Sequence, residues 1–351
     1  MVTWTIGNVS LSPDEFRAKY ANVYRNTMPD WEREIAEFLD EWNNELPYIN
    51  MHTSGSTGEA KNIRLSKEFM RESAERTLKL FDLKAGDPIL LCLPVRFVAG
   101  KMMIVRALEG DLNLHASPPT STPLRNVQGK FRFAAMIPLQ VIQTLKDDAK
   151  DLARIEHLII GGAALPPEIQ LKLSELKGNF YETYGMTETA THVAFRKVSK
   201  NLDQAFEALP GIRFSTNEEE CLKISFEGKP DFELQTRDSV KLIDNQHFVW
   251  LGRVDLIINS GGIKLHPEIL ENKLSGIISQ RFYLVGVADK LFGQKLVLIM
   301  EGINPDKKEL SLLKYEIEKR LDKYEIPKEL HFVKRFFETP NHKVIRKWPL
   351  D

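Results

Sequence analysis

The sequence predicts an α/β protein, with a large N-terminal α/β domain that carries a β-rich module and a small C-terminal α+β domain. The first observation is a series of apolar strand candidates, ILLCL (89–93), FAAMI (133–137) and HLII (157–160), separated by helical segments such as KMMIVRAL. Strands that alternate with helices predict a parallel or mixed sheet that is covered on both faces. The second observation is a change at residues 221–250 to short alternating strands with turns at EGKPD and DNQ, which predicts the β-rich module.

The elements that precede this series are predicted from apolar periodicity. Residues 30–42 form a helix that ends before Pro47. A strand YINMH, a loop of small residues, a second strand NIRLS and a helix from Lys67 to about Leu80 follow. The apolar face of the first helix consists of Trp31, Ile35, Phe38, Leu39 and Trp42.

A new unit begins after GRVD (252–255). It contains strands around LIIN and FYLVGVA, a helix EILENKLSGI and a long charged helix ELSLLKYEIEKRLDKY. We therefore predict a domain boundary at Asp255, with an N-terminal domain of residues 1–254 and a C-terminal domain of residues 255–351.

The composition is that of a globular protein of about two domains. The 351 residues are 42% hydrophobic and 28% charged with a net charge of -1, so a nucleic-acid partner is not expected. Cys92 lies in an apolar run and neither it nor Cys221 has a CxxC partner, which argues against a disulfide framework or structural zinc. The N-terminus lacks a signal-peptide pattern and no apolar run approaches ~18 residues, so we expect a cytoplasmic protein without membrane insertion.

The stretch TSGSTGEAK (53–61) is a loop of small and hydroxyl residues closed by Lys61. Its glycines are too close together for a Walker A motif, and a strand follows the lysine instead of a helix. Glycine backbone freedom, hydroxyls and free amides can still enclose a polyphosphate, although a polar hairpin turn explains the stretch equally well.

Three further stretches carry candidate ligand groups. HLIIGGAAL (157–165) is a buried strand running into two glycines, which lets the backbone approach a flat ligand. YGMTET (184–189) offers an aromatic ring for a base, hydroxyls for phosphate and Glu188 as an oxygen ligand for Mg²⁺, or it is a helix cap. Lys343 lies in a turn-like context near the C-terminus, where a lysine is usually a solvated charge.

In this order, these stretches resemble the motifs of the adenylate-forming superfamily, which contains acyl-CoA synthetases, adenylation domains and luciferases. TSGSTGEAK resembles its phosphate-binding loop, IIGGAAL its adenine-side loop and YGMTET its adenine and magnesium motif. TRD (236–238) resembles its ribose-binding T-G-D, GRVDLIINSGGIKLHPEILE (252–271) its hinge and following loop, and TPNHKVIR (339–346) its lysine motif. The resemblance covers about residues 48–348 and implies the adenylate-forming enzyme fold, in which the small C-terminal domain is mobile.

The resemblance implies a two-step reaction with ATP, Mg²⁺ and CoA. A carboxylate attacks the α-phosphate of ATP to give an acyl-adenylate and pyrophosphate, and a thiol, usually that of CoA, then attacks the adenylate. Lys343 and Glu188 are implied as catalytic residues, Glu188 as the magnesium ligand, Asp255 as the hinge, and Ser260, Gly261 and Gly262 as the lining of the CoA tunnel. The implied nucleotide-binding residues are Thr53, Ser54, Gly55, Ser56, Thr57, Gly58, Lys61, Gly161, Gly162, Ala163, Tyr184, Gly185, Met186, Thr187, Asp238 and Arg253.

The chain departs from the family pattern in three places. The phosphate loop begins at position 53, so the first subdomain is expected to be abbreviated, which leaves open any pocket wall or homodimer surface normally built there. Arg237 replaces the glycine of T-G-D, and His342 replaces the glycine that usually precedes the lysine. Neither replacement removes a functional side chain.

The acyl substrate is predicted from two stretches. LPVRFVAGKMMIVRAL places Arg96 and Lys101 near the expected acyl pocket, unless both face solvent or pair locally. YGMTETATHVA, which includes Thr189, is similar to the o-succinylbenzoate-CoA ligases of menaquinone biosynthesis. A cationic pocket fits such a dicarboxylate. The alternatives are a ligase for another aromatic or dicarboxylic acid, an enzyme that loads a carrier protein, and a catalytically silent nucleotide-binding protein.

Overall fold

The protein is described here from a computed structural model, which describes residues 2–7, 9–20, 27–53, 61–125, 127–202, 204–338, 344–346 and 348. The chain divides into two compact units. Unit 1 comprises Met1–Leu165 and Ile169–Gly211, and unit 2 comprises Pro166–Glu168 and Ile212–Asp351. The β-rich module thus groups with the C-terminal residues, and the functional boundary at Asp255 stays a prediction.

Unit 1 is built around a mostly parallel sheet. Its strands run in the order β11-β10-β9-β8-β7-β5-β6-β1-β2, and the strands from β9 to β1 in this order are parallel to their neighbours. A separate hairpin pairs β3 with β4. The strands are β1 Trp4–Ile6, β2 Val9–Leu11, β3 Tyr48–Thr53, β4 Lys61–Ser66, β5 Pro88–Leu91, β6 Asn113–Ala116, β7 Phe131–Met136, β8 Ile155–Ile160, β9 Asn179–Gly185, β10 His192–Lys197 and β11 Phe206–Ala208.

Helices connect these strands and bury their apolar faces. Val141 of one helix, and Ile169 and Leu173 of the next, lie in one core with Leu158 and Ile160 of β8. The helices are α1 Pro13–Tyr20, α2 Asp30–Asn43, α3 Lys67–Leu80, α4 Val98–Glu109, α5 Pro138–Asp148 and α6 Pro167–Ser174.

Unit 2 contains the predicted β-rich module and the predicted C-terminal α+β fold. The module is an antiparallel sheet in the order β12-β13-β14-β15, and a second sheet has the order β17-β16-β19-β18 with β20 parallel to β19. The strands are β12 Ile212–Thr216, β13 Cys221–Phe226, β14 Lys229–Leu242, β15 His247–Arg253, β16 Ile258–Ser260, β17 Ile263–Leu265, β18 Phe282–Asp289, β19 Gly293–Glu301 and β20 Glu329–Val333. The helices are α7 Pro267–Leu274 and α8 Lys307–Arg320.

The predicted α/β class is confirmed, and several elements match their predicted bounds closely. Helix α2 buries Ile35, Phe38, Leu39 and Trp42 as its periodicity predicts, whereas Trp31 of the predicted face is only partly buried. Helix α3 begins where Ser66 accepts a hydrogen bond from the Phe69 amide at 3.0 Å. None of the helices in the described part of the chain is long and apolar enough to cross a membrane.

Candidate active site

The predicted phosphate loop joins the two strands of the β3–β4 hairpin. The hairpin is paired along its full length, with the backbone of Thr53 opposite that of Lys61. Ser54, Gly55, Ser56, Thr57 and Gly58 connect these ends and lie outside the described residues, as do His342 and Lys343. Their roles therefore stay predictions, while the strands on both sides of the loop are those the sequence predicts.

The adenine-side glycines follow β8 at the carboxyl edge of the parallel sheet. Gly161 donates its amide to the carbonyl of Met136, at the end of β7, at 3.1 Å. A Cβ atom on Gly161 would lie 2.6 Å from Thr183 Oγ1 of β9, and Gly162 has a φ of +89°. Gly161 is therefore required by its close approach to β9, Gly162 is favoured by its positive φ, and the exposed Ala163 follows them. Ligands of open α/β sheets bind at this edge.

A buried ion pair, which the sequence analysis missed, fixes this loop to β9. Glu182 accepts hydrogen bonds from Arg196 Nε at 2.9 Å and Nη2 at 2.7 Å, and its other oxygen accepts the amide of Leu165 at 3.0 Å. The carboxylate thus joins the end of the IIGGAAL stretch to the strand that leads into YGMTET. Glu182 precedes that motif by two residues, but nothing in its local sequence distinguishes it from a solvent-facing strand residue.

The YGMTET motif forms a tight turn after β9. A Cβ atom on Gly185 would lie 2.3 Å from the carbonyl oxygen of Thr191, so this position accepts only glycine. Thr189, which is 1% exposed, accepts the amide of Met186 at 2.9 Å through its hydroxyl and donates to the Thr191 carbonyl at 2.6 Å. These contacts hold Tyr184 to Thr191 in one compact structure. Thr189 is a structural brace of this turn as well as a candidate contact to the acyl group.

Glu188 fits the role of magnesium ligand. It is half-buried in the turn Thr187–Thr189 and makes no hydrogen bond or ion pair with another described residue. Among the described residues, no three His, Cys, Asp or Glu side chains come together to form a complete metal site. Mg²⁺ characteristically binds through one or two carboxylates and the phosphates of a substrate, so a single open carboxylate suits it.

Arg106 is a buried cation that the sequence analysis did not single out. It lies on α4, is 1% exposed and forms no ion pair with any carboxylate of the described residues. Its Nη2 donates to Thr191 Oγ1 at 3.1 Å and its Nη1 to Met103 Sδ at 3.6 Å, while Nε has no partner. Burial lowers the pKa of Arg106 to about 9. A signal was present, because Arg106 stands within the apolar run MMIVRAL of this helix.

Arg96 and Lys101, the predicted acyl-site cations, are already paired. Arg96 is 61% exposed and donates to Glu34 at 2.9 Å, whereas Lys101 is 11% exposed and donates to Glu41 at 2.7 Å. Both carboxylates belong to α2. The alternative that these cations pair locally is the one the structure shows, and each already has a carboxylate partner within the protein. Their predicted contact with the substrate stays a prediction, and we propose Arg106 for that contact below.

His192 follows Thr191 in the chain, and the Thr191 hydroxyl contacts both His192 and Arg106. Its Nδ1 lies 3.1 Å from Thr191 Oγ1, and its buried Nε2 has no hydrogen-bond partner. Burial, together with the nearby charges of Arg106 and Arg76, holds the pKa of His192 well below its ordinary value. The imidazole is therefore neutral at physiological pH.

This lowered pKa predicts a contribution to acid sensitivity. Because the unfolded chain binds a proton at His192 near pH 6.5 and the folded chain does not, the free energy of unfolding falls as the pH drops through that value. From pH 7.5 to 5.5, the free energy of unfolding of the wild type is expected to fall by about 1 kcal/mol more than that of His192→Gln. Urea unfolding at both pH values measures this, and parallel losses in the two proteins would contradict the assignment.

In unit 2, the predicted ribose and hinge residues are adjacent. Asp238 of β14 lies opposite Arg253 of β15 and accepts Trp250 Nε1 at 3.3 Å. Arg253 donates Nε and Nη2 to the carboxylate of Asp255 at 3.0 and 3.1 Å. The three residues thus lie next to one another, and the sequence analysis did not anticipate that Arg253 binds the hinge carboxylate. Their roles stay predictions.

The predicted CoA loop is the turn between β16 and β17. Gly261 and Gly262 have φ values of +61° and +83°, which other residues rarely adopt. The amide of Gly261 donates to the carbonyl of Phe292 at 2.8 Å, which ties the turn, with Ser260 at its start, to the residue before β19. The glycines are therefore required by the turn itself.

Comparison with known proteins decides the family. Residues 11–217, more than half of the chain, match the AMP-binding enzyme family. The chain belongs to this family. It is also 32% identical to a crystal structure of an acyl-CoA synthetase (AMP-forming)/AMP-acid ligase II-like protein from Dyadobacter fermentans, with a TM-score of 0.60 and coverage of 92% of this chain and 95% of that one.

Two further comparisons bear on fold and substrate. An o-succinylbenzoate CoA synthetase from Bacillus subtilis, solved with the acyl-adenylate intermediate, has a TM-score of 0.76 at 18% identity over 86% of this chain and 68% of that one. This AMP-binding enzyme therefore has the adenylate-forming fold. The 2-succinylbenzoate--CoA ligase of Escherichia coli is 27% identical over 264 residues, which are 71% of this chain and 57% of that protein. The chain thus spans a little over half the length of that relative.

Proposed function

We propose that this protein is an ATP-dependent carboxylate-CoA ligase whose acid carries a second anionic group, with o-succinylbenzoate as the preferred acid. The single observation that carries the substrate class is Arg106, a fully buried guanidinium with no carboxylate partner among the described residues. A buried charge is costly unless it is paired, so its retention argues for an anion that arrives with the ligand. The names of the relatives supply the particular acid, and that acid would place the chain in menaquinone biosynthesis.

Hydrogen bonds connect Arg106 to the adenylate motif. Arg106 donates to the Thr191 hydroxyl at 3.1 Å, the Thr191 carbonyl accepts from the Thr189 hydroxyl at 2.6 Å, and Thr189 holds the Met186 amide at 2.9 Å. These contacts connect the buried guanidinium to the turn that carries Glu188. In the proposed complex, one carboxylate of o-succinylbenzoate lies at the α-phosphate and the other at Arg106.

Adenylation brings a carboxylate, which is a weak nucleophile, to a polyanion. The protein must then neutralise charge and hold the reactants in line. Bound Mg²⁺ supplies Lewis-acid stabilisation of phosphate charge, and Glu188 is the residue that would hold it. Lys343 and the backbone amides and hydroxyls of residues 53–61 would donate to the phosphate oxygens, while Asp238 accepts hydrogen bonds from the ribose hydroxyls.

The two half-reactions require different arrangements of the C-terminal residues, which we propose to be residues 255–351 turning about Asp255. In the arrangement described here, Arg253 binds the Asp255 carboxylate through two nitrogens. A rotation at Asp255 changes its backbone angles and this ion pair together. It would replace Lys343 at the reacting centre with the turn Ser260–Gly262 and so admit the pantetheine arm of CoA.

Asp255→Pro tests the hinge. Proline fixes φ and resists the rotation, so the variant is expected to form acyl-adenylate at a near-normal rate and to release little acyl-CoA. Single-turnover assays that follow pyrophosphate and acyl-CoA separately measure both steps. Asp255→Ala is the control, since it removes the ion pair but keeps backbone freedom. Normal acyl-CoA formation by the proline variant would place the hinge elsewhere.

The proposed function is tested by pyrophosphate release. The protein is supplied with ATP, Mg²⁺ and one acid from a panel of o-succinylbenzoate, benzoates, dicarboxylates, fatty acids and amino acids. We expect o-succinylbenzoate to give the highest kcat/KM and the product to become acyl-CoA only when CoA is added. A preference for an acid without a second anionic group would contradict the substrate class, and the absence of pyrophosphate with every acid would contradict the ligase activity.

A further inference from the structure

Thr191 joins two buried side chains that each keep an unused hydrogen-bond donor. Its hydroxyl lies 3.1 Å from Arg106 Nη2 and 3.1 Å from His192 Nδ1. A guanidinium only donates, so the hydroxyl accepts from Arg106. We assign its own hydrogen to Nδ1, because the other tautomer would leave the hydroxyl hydrogen without an acceptor among the described residues. This assigns the imidazole hydrogen to Nε2, because a neutral imidazole carries one hydrogen.

The hydrogens on Arg106 Nε and His192 Nε2 have no acceptor among the described residues. Both side chains are more than nine-tenths buried, Arg106 at 1% and His192 at 5% exposure. An unsatisfied buried donor costs about 1–3 kcal/mol, and two in one hydrogen-bonded group are unusual in a native core. The Thr191 hydroxyl joins both side chains into one group, and a carboxylate has two oxygens that can accept from the two unused donors.

We propose that His192 is a specificity-determining residue, whose Nε2–H donates a hydrogen bond to the same substrate carboxylate that Arg106 binds. The inference rests on the proposed function, since it assigns a second contact to the acid recognised there. Thr191 acts as a positioning residue, because its hydroxyl orients both donors. Arg106 provides the positive charge, and His192 provides a hydrogen bond with a fixed direction. A carboxylate is therefore favoured over a neutral group of similar size.

The charges around His192 support a neutral donor. Burial, with the nearby charges of Arg106 and Arg76, lowers the pKa of His192 and so disfavours a second proton on the imidazole. The group therefore holds one cation without a carboxylate partner among the described residues and one neutral donor, a combination that binds a monoanion without leaving a second positive charge to be compensated. Recognition by His192 would be insensitive to pH across the physiological range.

The experiment compares two acids in two variants. His192→Leu removes the donor at similar volume, and His192→Gln keeps a side-chain N–H donor. The acids are o-succinylbenzoate and 4-oxo-4-phenylbutanoate, which lacks the ring carboxylate. We expect His192→Leu to lower kcat/KM for o-succinylbenzoate roughly ten- to a hundred-fold and that for the analogue less than about threefold. His192→Gln is expected to recover most of the loss.

His157→Leu is the matched control. His157 is also a histidine with a buried ring nitrogen that has no partner, and it lies on β8 among Phe81 and Tyr181. Its replacement should leave the ratio of kcat/KM for the two acids unchanged. Thermal unfolding of every variant separates a loss of folded protein from a loss of recognition.

The outcomes distinguish this inference from the proposed function. Suppose that the wild type uses o-succinylbenzoate. If His192→Leu then lowers kcat/KM equally for both acids, or lowers it for neither, the inference is overturned while the proposed function stands. If the wild type prefers another dicarboxylate of the panel, the same comparison with that acid and its monocarboxylate analogue decides the inference. If no acid with a second anionic group is used, both are wrong.

Discussion

Lys343→Ala is expected to abolish adenylation and to spare thioester formation. A cation at the α-phosphate stabilises charge that develops only in the adenylating transition state, and removing one such group typically costs a factor of about 10²–10³. Pyrophosphate release should fall by at least that factor. The variant supplied with ready-made acyl-adenylate and CoA should still form acyl-CoA at a rate close to that of the wild type, because the lysine has then left the site.

Lys323→Ala controls for the loss of one positive charge from the same domain, since Lys323 is exposed in a turn after α8. It should behave as the wild type in both half-reactions. Equal losses of adenylation and thioester formation in Lys343→Ala would contradict a role confined to the first step. An unchanged rate of pyrophosphate release would remove Lys343 from the active site altogether.

Arg106→Met is expected to lower activity and raise stability at once. The loss of a charge-assisted hydrogen bond of ~1.5–3 kcal/mol corresponds to roughly ten- to a hundred-fold in kcat/KM for o-succinylbenzoate. Methionine fills a similar volume without a charge, and replacing buried charges by packed apolar groups is often neutral or stabilising by about 1–4 kcal/mol. The free energy of unfolding in urea should therefore rise while substrate discrimination falls.

Arg154→Met is the matched control for this variant. Arg154 donates to the backbone carbonyls of Val127 and Leu124, at distances of 2.5 and 2.8 Å, so its role lies within the protein. Its replacement should lower the free energy of unfolding and leave the ratio of kcat/KM for o-succinylbenzoate and 4-oxo-4-phenylbutanoate unchanged. A destabilised Arg106→Met with an unchanged ratio would show that Arg106 is a structural residue of the core.

The sequence around Arg106 did not indicate the acyl site that we propose. Helix α4 is buried almost all round, from Gly100 to Ala107, so its periodicity does not indicate which side faces a ligand. The sequence favoured Arg96 and Lys101 because they stand nearest to the LP that ends a predicted strand. Glu34 and Glu41 of α2, about 60 residues earlier in the chain, neutralise both.

The sequence by itself determined the parts of this protein whose chemistry is local. Turns and close backbone approaches favour glycine at positions 161, 162, 185, 261 and 262. These requirements are local, so the glycine motifs could be recognised in the sequence. The apolar face of α2 and the strands β5, β7 and β8 follow from short-range periodicity, which is why the α/β class could be predicted. The family motifs follow from the same local requirements.

Only the tertiary structure decided which charges are satisfied. Arg106, Thr191 and His192 meet although 85 residues separate the first two, and Arg96 and Lys101 form ion pairs with carboxylates of another helix. The free energy of a buried charge depends on its neighbours within a few ångströms, whatever their distance along the chain. The sequence therefore shows which residues are charged, whereas the fold determines which of them are paired within the protein.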